Sequence, residues 1–99
     1  MSKPTATLSL QILPTAKNKE EALQIIDKVI AQVSNSGLSF EVGPMETTIE
    51  GDLDSLIELL KKAQDIAIEA GAESVFSNVK IIYNPRGVMT INEKVDKHR

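Results

Sequence analysis

The sequence has no cysteine and no tryptophan. Without cysteine, disulfides and thiolate metal sites are excluded. Histidine occurs once, as His98. A lone histidine with no neighbouring nucleophile or carboxylate pair forms neither a triad nor a metal site, so no catalytic residue and no metal are expected. The aromatic residues are only Phe40, Phe76 and Tyr83, so the core must be built from Leu, Ile, Val and Ala. No apolar run approaches the roughly 20 residues that cross a bilayer, and the opening Met1-Ser-Lys-Pro-Thr5 has no apolar centre for a signal peptide. The expected location is the cytoplasm, without membrane contact. Clustered basic residues are also missing: the net charge is −3, and the 11 Lys and Arg are scattered among acids. Nucleic acid is therefore not an expected partner, because phosphate neutralisation needs grouped cations.

At 99 residues with 41% apolar content, the chain has room for one core, so residues 1–99 are read as a single domain. Residues 5–13 alternate, with Ala6, Leu8, Leu10 and Ile12 against Thr7, Ser9 and Gln11, which is the signature of a half-buried strand. Pro14 is expected to stop it. Asn18 with Glu21 three residues later has capping-box spacing, and Ala22, Ile25, Ile26, Val29, Ile30 and Val33 recur at helical intervals up to a cap at Gly37. Two short strands follow, residues 38–42 and 45–50, bent at Gly43-Pro44 into an antiparallel hairpin. Asp52 caps a second helix that ends at Gly71, and residues 74–83 form a fourth strand. After the Asn84-Pro-Arg-Gly87 turn, Thr90-Ile-Asn-Glu93 predicts a short helix from Ile91, with residues 97–99 fraying.

The order β-α-β-β-α-β predicts a ferredoxin-like α+β sandwich with strand order 4-1-3-2 and a short C-terminal helix. By this reading the first and third strands are central neighbours running parallel, so both long helices start at one end of the sheet. One sheet face, with Leu8, Leu10, Ile12, Phe40, Ile49, Val79 and Ile81, is covered by helices. The other carries Thr7, Ser9, Gln11, Ser39, Glu41, Thr48, Glu50, Asn78 and Lys80, together with Phe76 and Ile82 if the fourth strand has no bulge. Such a face is either the solvated side of an antiparallel sheet or a surface completed by a second copy.

Taken in order, Gln11-Ile-Leu-Pro14, Gly43-Pro-Met-Glu-Thr47, Ile49-Glu-Gly51, Val79-Lys-Ile81 and Glu93-Lys-Val95 resemble the small thiamine-binding protein family over almost the whole chain. The resemblance implies a ferredoxin-like fold, assembly into homodimers or homotetramers, and binding of thiamine or its hydroxymethylpyrimidine moiety without chemistry on it. No cofactor is implied. The sequence departs from the family's commoner pattern in residues 15–19 and at Glu46, where many members have glycine.

Candidate ligand-binding residues are Gln11, Thr47, Thr48, Glu50, Asn78 and Lys80. Glu50 ends a central strand, where its carboxylate can pair with the ring nitrogen and amine of an aminopyrimidine; alternatively it only caps a helix or pairs with Lys80. Thr48 shares its face, whereas Thr47 points beneath the helices. Gln11, with Ser9, and Asn78, with Lys80, can supply donors and acceptors from neighbouring strands; Lys80 can also meet a phosphate. Two other functions compete. One is a regulatory module that binds another small effector at subunit interfaces. The other, an acylphosphatase-like hydrolase, requires a phosphate loop with a nearby Arg after the first strand, and Pro14-Thr-Ala-Lys-Asn18 supplies none.

Overall fold

In the computed structural model, which describes residues 3–99, the elements are β1 (Ala6–Thr15), α1 (Lys19–Asn35), β2 (Ser39–Val42), β3 (Thr47–Gly51), α2 (Leu53–Glu69), β4 (Ser74–Tyr83) and α3 (Ile91–Val95), followed by a 3-10 turn over Asp96–His98. The first two residues of the short polar N-terminus lie outside the described region. The sheet order is β2-β3-β1-β4, the predicted ferredoxin-like arrangement. The helix signals hold locally. Asn18 accepts the Glu21 amide at 2.8 Å, and Asp52 accepts the Ser55 amide at 3.0 Å. That capping hydrogen bond holds the Asp52 carboxyl below its ordinary pKa. Gly37 and Gly71 take positive φ values of 83° and 114°, the left-handed conformation in which glycine ends a helix at least cost.

One side of the sheet and the inner faces of the two long helices enclose the core. Leu8, Ile49, Leu56, Ala6, Ala63 and Ala67 are fully buried there, with Ile25 and Val33 at 1% exposure. The predicted division of strand residues between faces is correct, and β4 has no bulge: its register with β1 runs unbroken from Ala6↔Tyr83 to Thr15↔Ser74. Val79 and Ile81 lie on the helix side of β4 but remain 36% and 42% exposed.

Three expectations are corrected. β1 and β3 are antiparallel, with Ala6 opposite Gly51 and Leu10 opposite Thr47. In a split βαβ unit the helix returns the chain parallel to β1 in β2, and the hairpin then reverses it in β3. The N-termini of α1 and α2 therefore lie at opposite ends of the sheet. Pro14 does not stop β1, which continues to Thr15. β3 pairs only with Ala6 to Leu10, so at Pro14 one side of the strand has no partner and a missing N–H is tolerated.

The third correction concerns the face opposite the helices, which is not bare. Val88 donates to the Pro4 carbonyl at 2.9 Å and is buried, as is Ile91. The segment from Val88 onward thus turns back, and α3 lies over this face. Thr90 forms the full predicted capping box with Glu93, and those hydrogen bonds hold the Glu93 carboxyl below its ordinary pKa. The end of the chain, expected to fray, pairs Arg99 with Glu41 and Asp96.

Candidate ligand-binding site

The sheet register sets the uncovered side chains in rows across the strands. Ser39, Glu50, Thr7 and Ile82 form one row; Glu41, Thr48, Ser9 and Lys80 form the next. Gln11 and Asn78 stand opposite each other in a third, and the Asn78 amide donates to Gln11 Oε1 at 3.0 Å. Helix α3 bridges the first two rows. Its Ile91 amide donates to Glu50 Oε2 at 2.7 Å, and past the 3-10 turn that follows α3, Arg99 pairs with Glu41.

Between α3 and the sheet is a pocket of about 280 Å³. Thr7, Ser9 and Thr48 supply its hydroxyls, and Ile82, Ile91 and Val95 its apolar walls. Glu41, Lys80 and Lys94 add charge. Thr7 is 8% exposed. Its Oγ1, like Ser9 Oγ, is buried without a hydrogen-bond partner. A buried hydroxyl left unpaired costs about 1–3 kcal/mol, and native structures rarely leave such groups unpaired without a reason. Thr7 and Ser9 thus bring two buried, unpaired hydroxyls to the sheet side of the pocket.

Beside this pocket, toward the β2–β3 turn, is a wider groove of about 550 Å³ that includes Gln11, Asn78 and Met45 and shares Glu41, Thr48 and Lys80 with it. Four of the six predicted residues, Gln11, Thr48, Asn78 and Lys80, thus gather on one continuous surface. The other two lie elsewhere. Thr47, 9% exposed, lines an apolar pocket under α1 with Leu10, Ile12 and Val42. Glu50 caps α3 rather than lining the pocket, and Lys80 pairs with Glu46 at 3.7 Å instead of with Glu50.

A larger hollow, about 660 Å³, is an open groove between the end of α1 and the start of α2. Gln32 Oε1 is unpaired there, but its amide nitrogen donates to the Leu59 carbonyl at 3.2 Å, and exposed Asp54, Glu58 and Lys62 line the same groove. The groove under α3, with its unpaired hydroxyls and apolar walls, suits a small molecule better.

The sequence profile of the thiamine-binding protein family matches residues 8–99. The chain belongs to that family. A UPF0045 protein of Clostridium perfringens is 50% identical over 95 residues, which is 96% of this chain and 98% of the relative. Among solved structures, a domain of unknown function from Bacillus cereus is 46% identical, with a TM-score of 0.86 over 95% of this chain and 89% of its own. A putative thiamine biosynthesis/salvage protein from Thermotoga maritima is 31% identical, with a TM-score of 0.84 over 95% and 98% of the two chains. In this member of the thiamine-binding protein family the Glu46 carboxylate lies 3.7 Å from the ammonium of Lys80, which lines the pocket.

Sequence reasoning did not name Thr7, Glu41, Ile82, Ile91, Lys94 or Val95 as candidates, and all six line this pocket. A signal was there. Ile91 and Val95, four residues apart on a capped helix, form an apolar pair that needs a surface to bury it, and Ile82 marks one.

Proposed function

We propose that the protein binds thiamine or its hydroxymethylpyrimidine moiety without transforming it, and that the pyrimidine ring lies under α3. The observation that carries this reading is the buried, unpartnered Thr7 hydroxyl in a pocket with Ser9 and apolar walls. An aminopyrimidine presents ring-nitrogen acceptors beside an amine donor, and a hydroxyl can both donate and accept. Ile82, Ile91 and Val95 suit the faces of a flat ring. A volume of about 280 Å³ is near the lower limit for small-molecule sites, roughly 300 Å³. It suits one ring, so the second ring of thiamine would extend into the adjoining groove near Gln11 and Asn78. The family membership and the thiamine-related Thermotoga neighbour support the same reading.

Binding without catalysis is part of the proposal and rests on the sequence, which carries no catalytic motif. The protein would act in the cytoplasm as a homodimer or homotetramer. β4 is a ten-residue edge strand bearing Phe76 at 66%, Ile82 at 56% and Tyr83 at 54% exposure. An exposed apolar edge of that length favours pairing with another strand, and a second copy is the commonest partner. Light scattering should give a mass at least twice that of one chain.

Calorimetry of the purified protein with thiamine and with hydroxymethylpyrimidine tests the binding. Saturable heat with the pyrimidine alone is expected. Absence of heat with either compound would reject the reading in favour of an interaction module for a different effector.

A further inference from the structure

The charged groups around the α3 pocket do not balance. Glu41 is the acid that lines it, and its carboxylate is already paired with Arg99. Lys80 has only a long contact of 3.7 Å to Glu46, with 76% of its side chain exposed. Lys94, half-buried, lines the same pocket and makes no ion pair among the described residues. In a chain with net charge −3, two lysines line a hollow beside two unpaired buried hydroxyls. Ammonium is a compact point charge with three donors, suited to a phosphate.

We infer that the site is built for a phosphorylated single-ring ligand: a pyrimidine whose hydroxymethyl oxygen carries a monophosphate, with the ring on Thr7 and Ser9 and the phosphate between Lys80 and Lys94. This rests on the proposed function and extends it to the ligand's anionic group. Lys94 decides between two possible phosphate sources. It lines the hollow that holds the ring and not the adjoining groove, so an anion that meets it must sit within a few bonds of that ring. A pyrimidine phosphate satisfies this. Thiamine monophosphate carries its phosphate beyond a second ring and does not.

The test is a calorimetric comparison of four compounds on the full chain: hydroxymethylpyrimidine, its monophosphate, thiamine and thiamine monophosphate. A charge-assisted hydrogen bond gained in a partly desolvated pocket predicts that the pyrimidine phosphate binds at least about tenfold tighter than the free alcohol. Thiamine and its monophosphate should bind alike. The pyrimidine preference should shrink as salt screens the lysines, and it should fall toward unity in Lys94→Gln. Should that variant fold poorly, the wild-type ratio and its salt dependence still decide. Binding of the alcohol as tight as its phosphate would overturn this inference and leave the proposed function standing. A preference confined to thiamine monophosphate would overturn the placement of the anion. No binding by any of the four would overturn both.

Discussion

Replacing Thr7 by Val should make the unliganded protein more stable and the liganded one weaker. Thr7 is 8% exposed, and its Oγ1 has no hydrogen-bond partner. Valine has nearly the same shape and an equal liking for strands, so the backbone pairing with Glu50 and Ile82 should persist. Removing an unsatisfied buried hydroxyl returns about 1–3 kcal/mol, and the added methyl contributes up to about 0.8 kcal/mol of apolar burial. Allowing for partial solvation of the pocket, a net gain of about 1–2 kcal/mol is expected, which raises Tm by about 5–10 °C in a domain of this size. The pyrimidine loses one hydrogen bond, so its affinity should fall about tenfold. Thermal unfolding by circular dichroism and calorimetric titration of the same samples measure the two effects. A variant less stable than the wild type, or one that binds the pyrimidine undiminished, would refute the reasoning, because the hydroxyl would then be satisfied or irrelevant.

Substituting Glu50 by Ala should release α3 while leaving the rest of the fold in place. Losing a charged acceptor for the Ile91 amide costs about 2 kcal/mol, so amide exchange in Ile91–Val95 should accelerate roughly thirtyfold; equal acceleration of the β1 amides would refute a local role. Leu8→Ala, at a fully buried central position, should cost about 3 kcal/mol in chemical denaturation, and a loss under 1 kcal/mol would show that the core lies elsewhere. Asp52 and Glu93 have lowered pKa values from helix-capping hydrogen bonds. Their contributions are complete above the ordinary carboxylate pKa of about 4 and are lost as the pH falls through the lowered folded values. Stability should therefore decline on acidification from about pH 4 downward, and the decline should be shallower in Asp52→Asn, whose amide oxygen still caps but does not titrate.

The fold was largely legible because its local signals agree with one another. Period-two alternation assigned the faces of β1 and β4, and Asn18, Asp52 and Thr90 each cap a helix where expected, with the reciprocal glutamate bond of a capping box formed at Thr90 and not at Asn18. The direction of β1 against β3 was misread, although the Gly43-Pro44 hairpin already contained the answer. A chain that returns parallel in β2 and reverses once must run antiparallel in β3. The position of α3 was less accessible. A five-residue helix is too short to declare its partner surface, and its docking depends on a carboxylate 41 residues away. From its place at the end of a strand, Glu50 was equally readable as a ligand group or a cap, and its carboxylate accepts the Ile91 amide at the start of α3. Thr7 looked like an ordinary strand residue, because only a roof above it makes its hydroxyl conspicuous.

The most direct test is a titration of isotope-labelled protein with hydroxymethylpyrimidine, followed by amide and methyl chemical shifts. Saturable changes centred on Thr7, Ser9, Thr48, Ile82 and the α3 residues Ile91 and Val95 are predicted, with little change in the groove between α1 and α2. Changes concentrated in that groove or under α1 around Thr47, with the α3 pocket unmoved, would contradict the account.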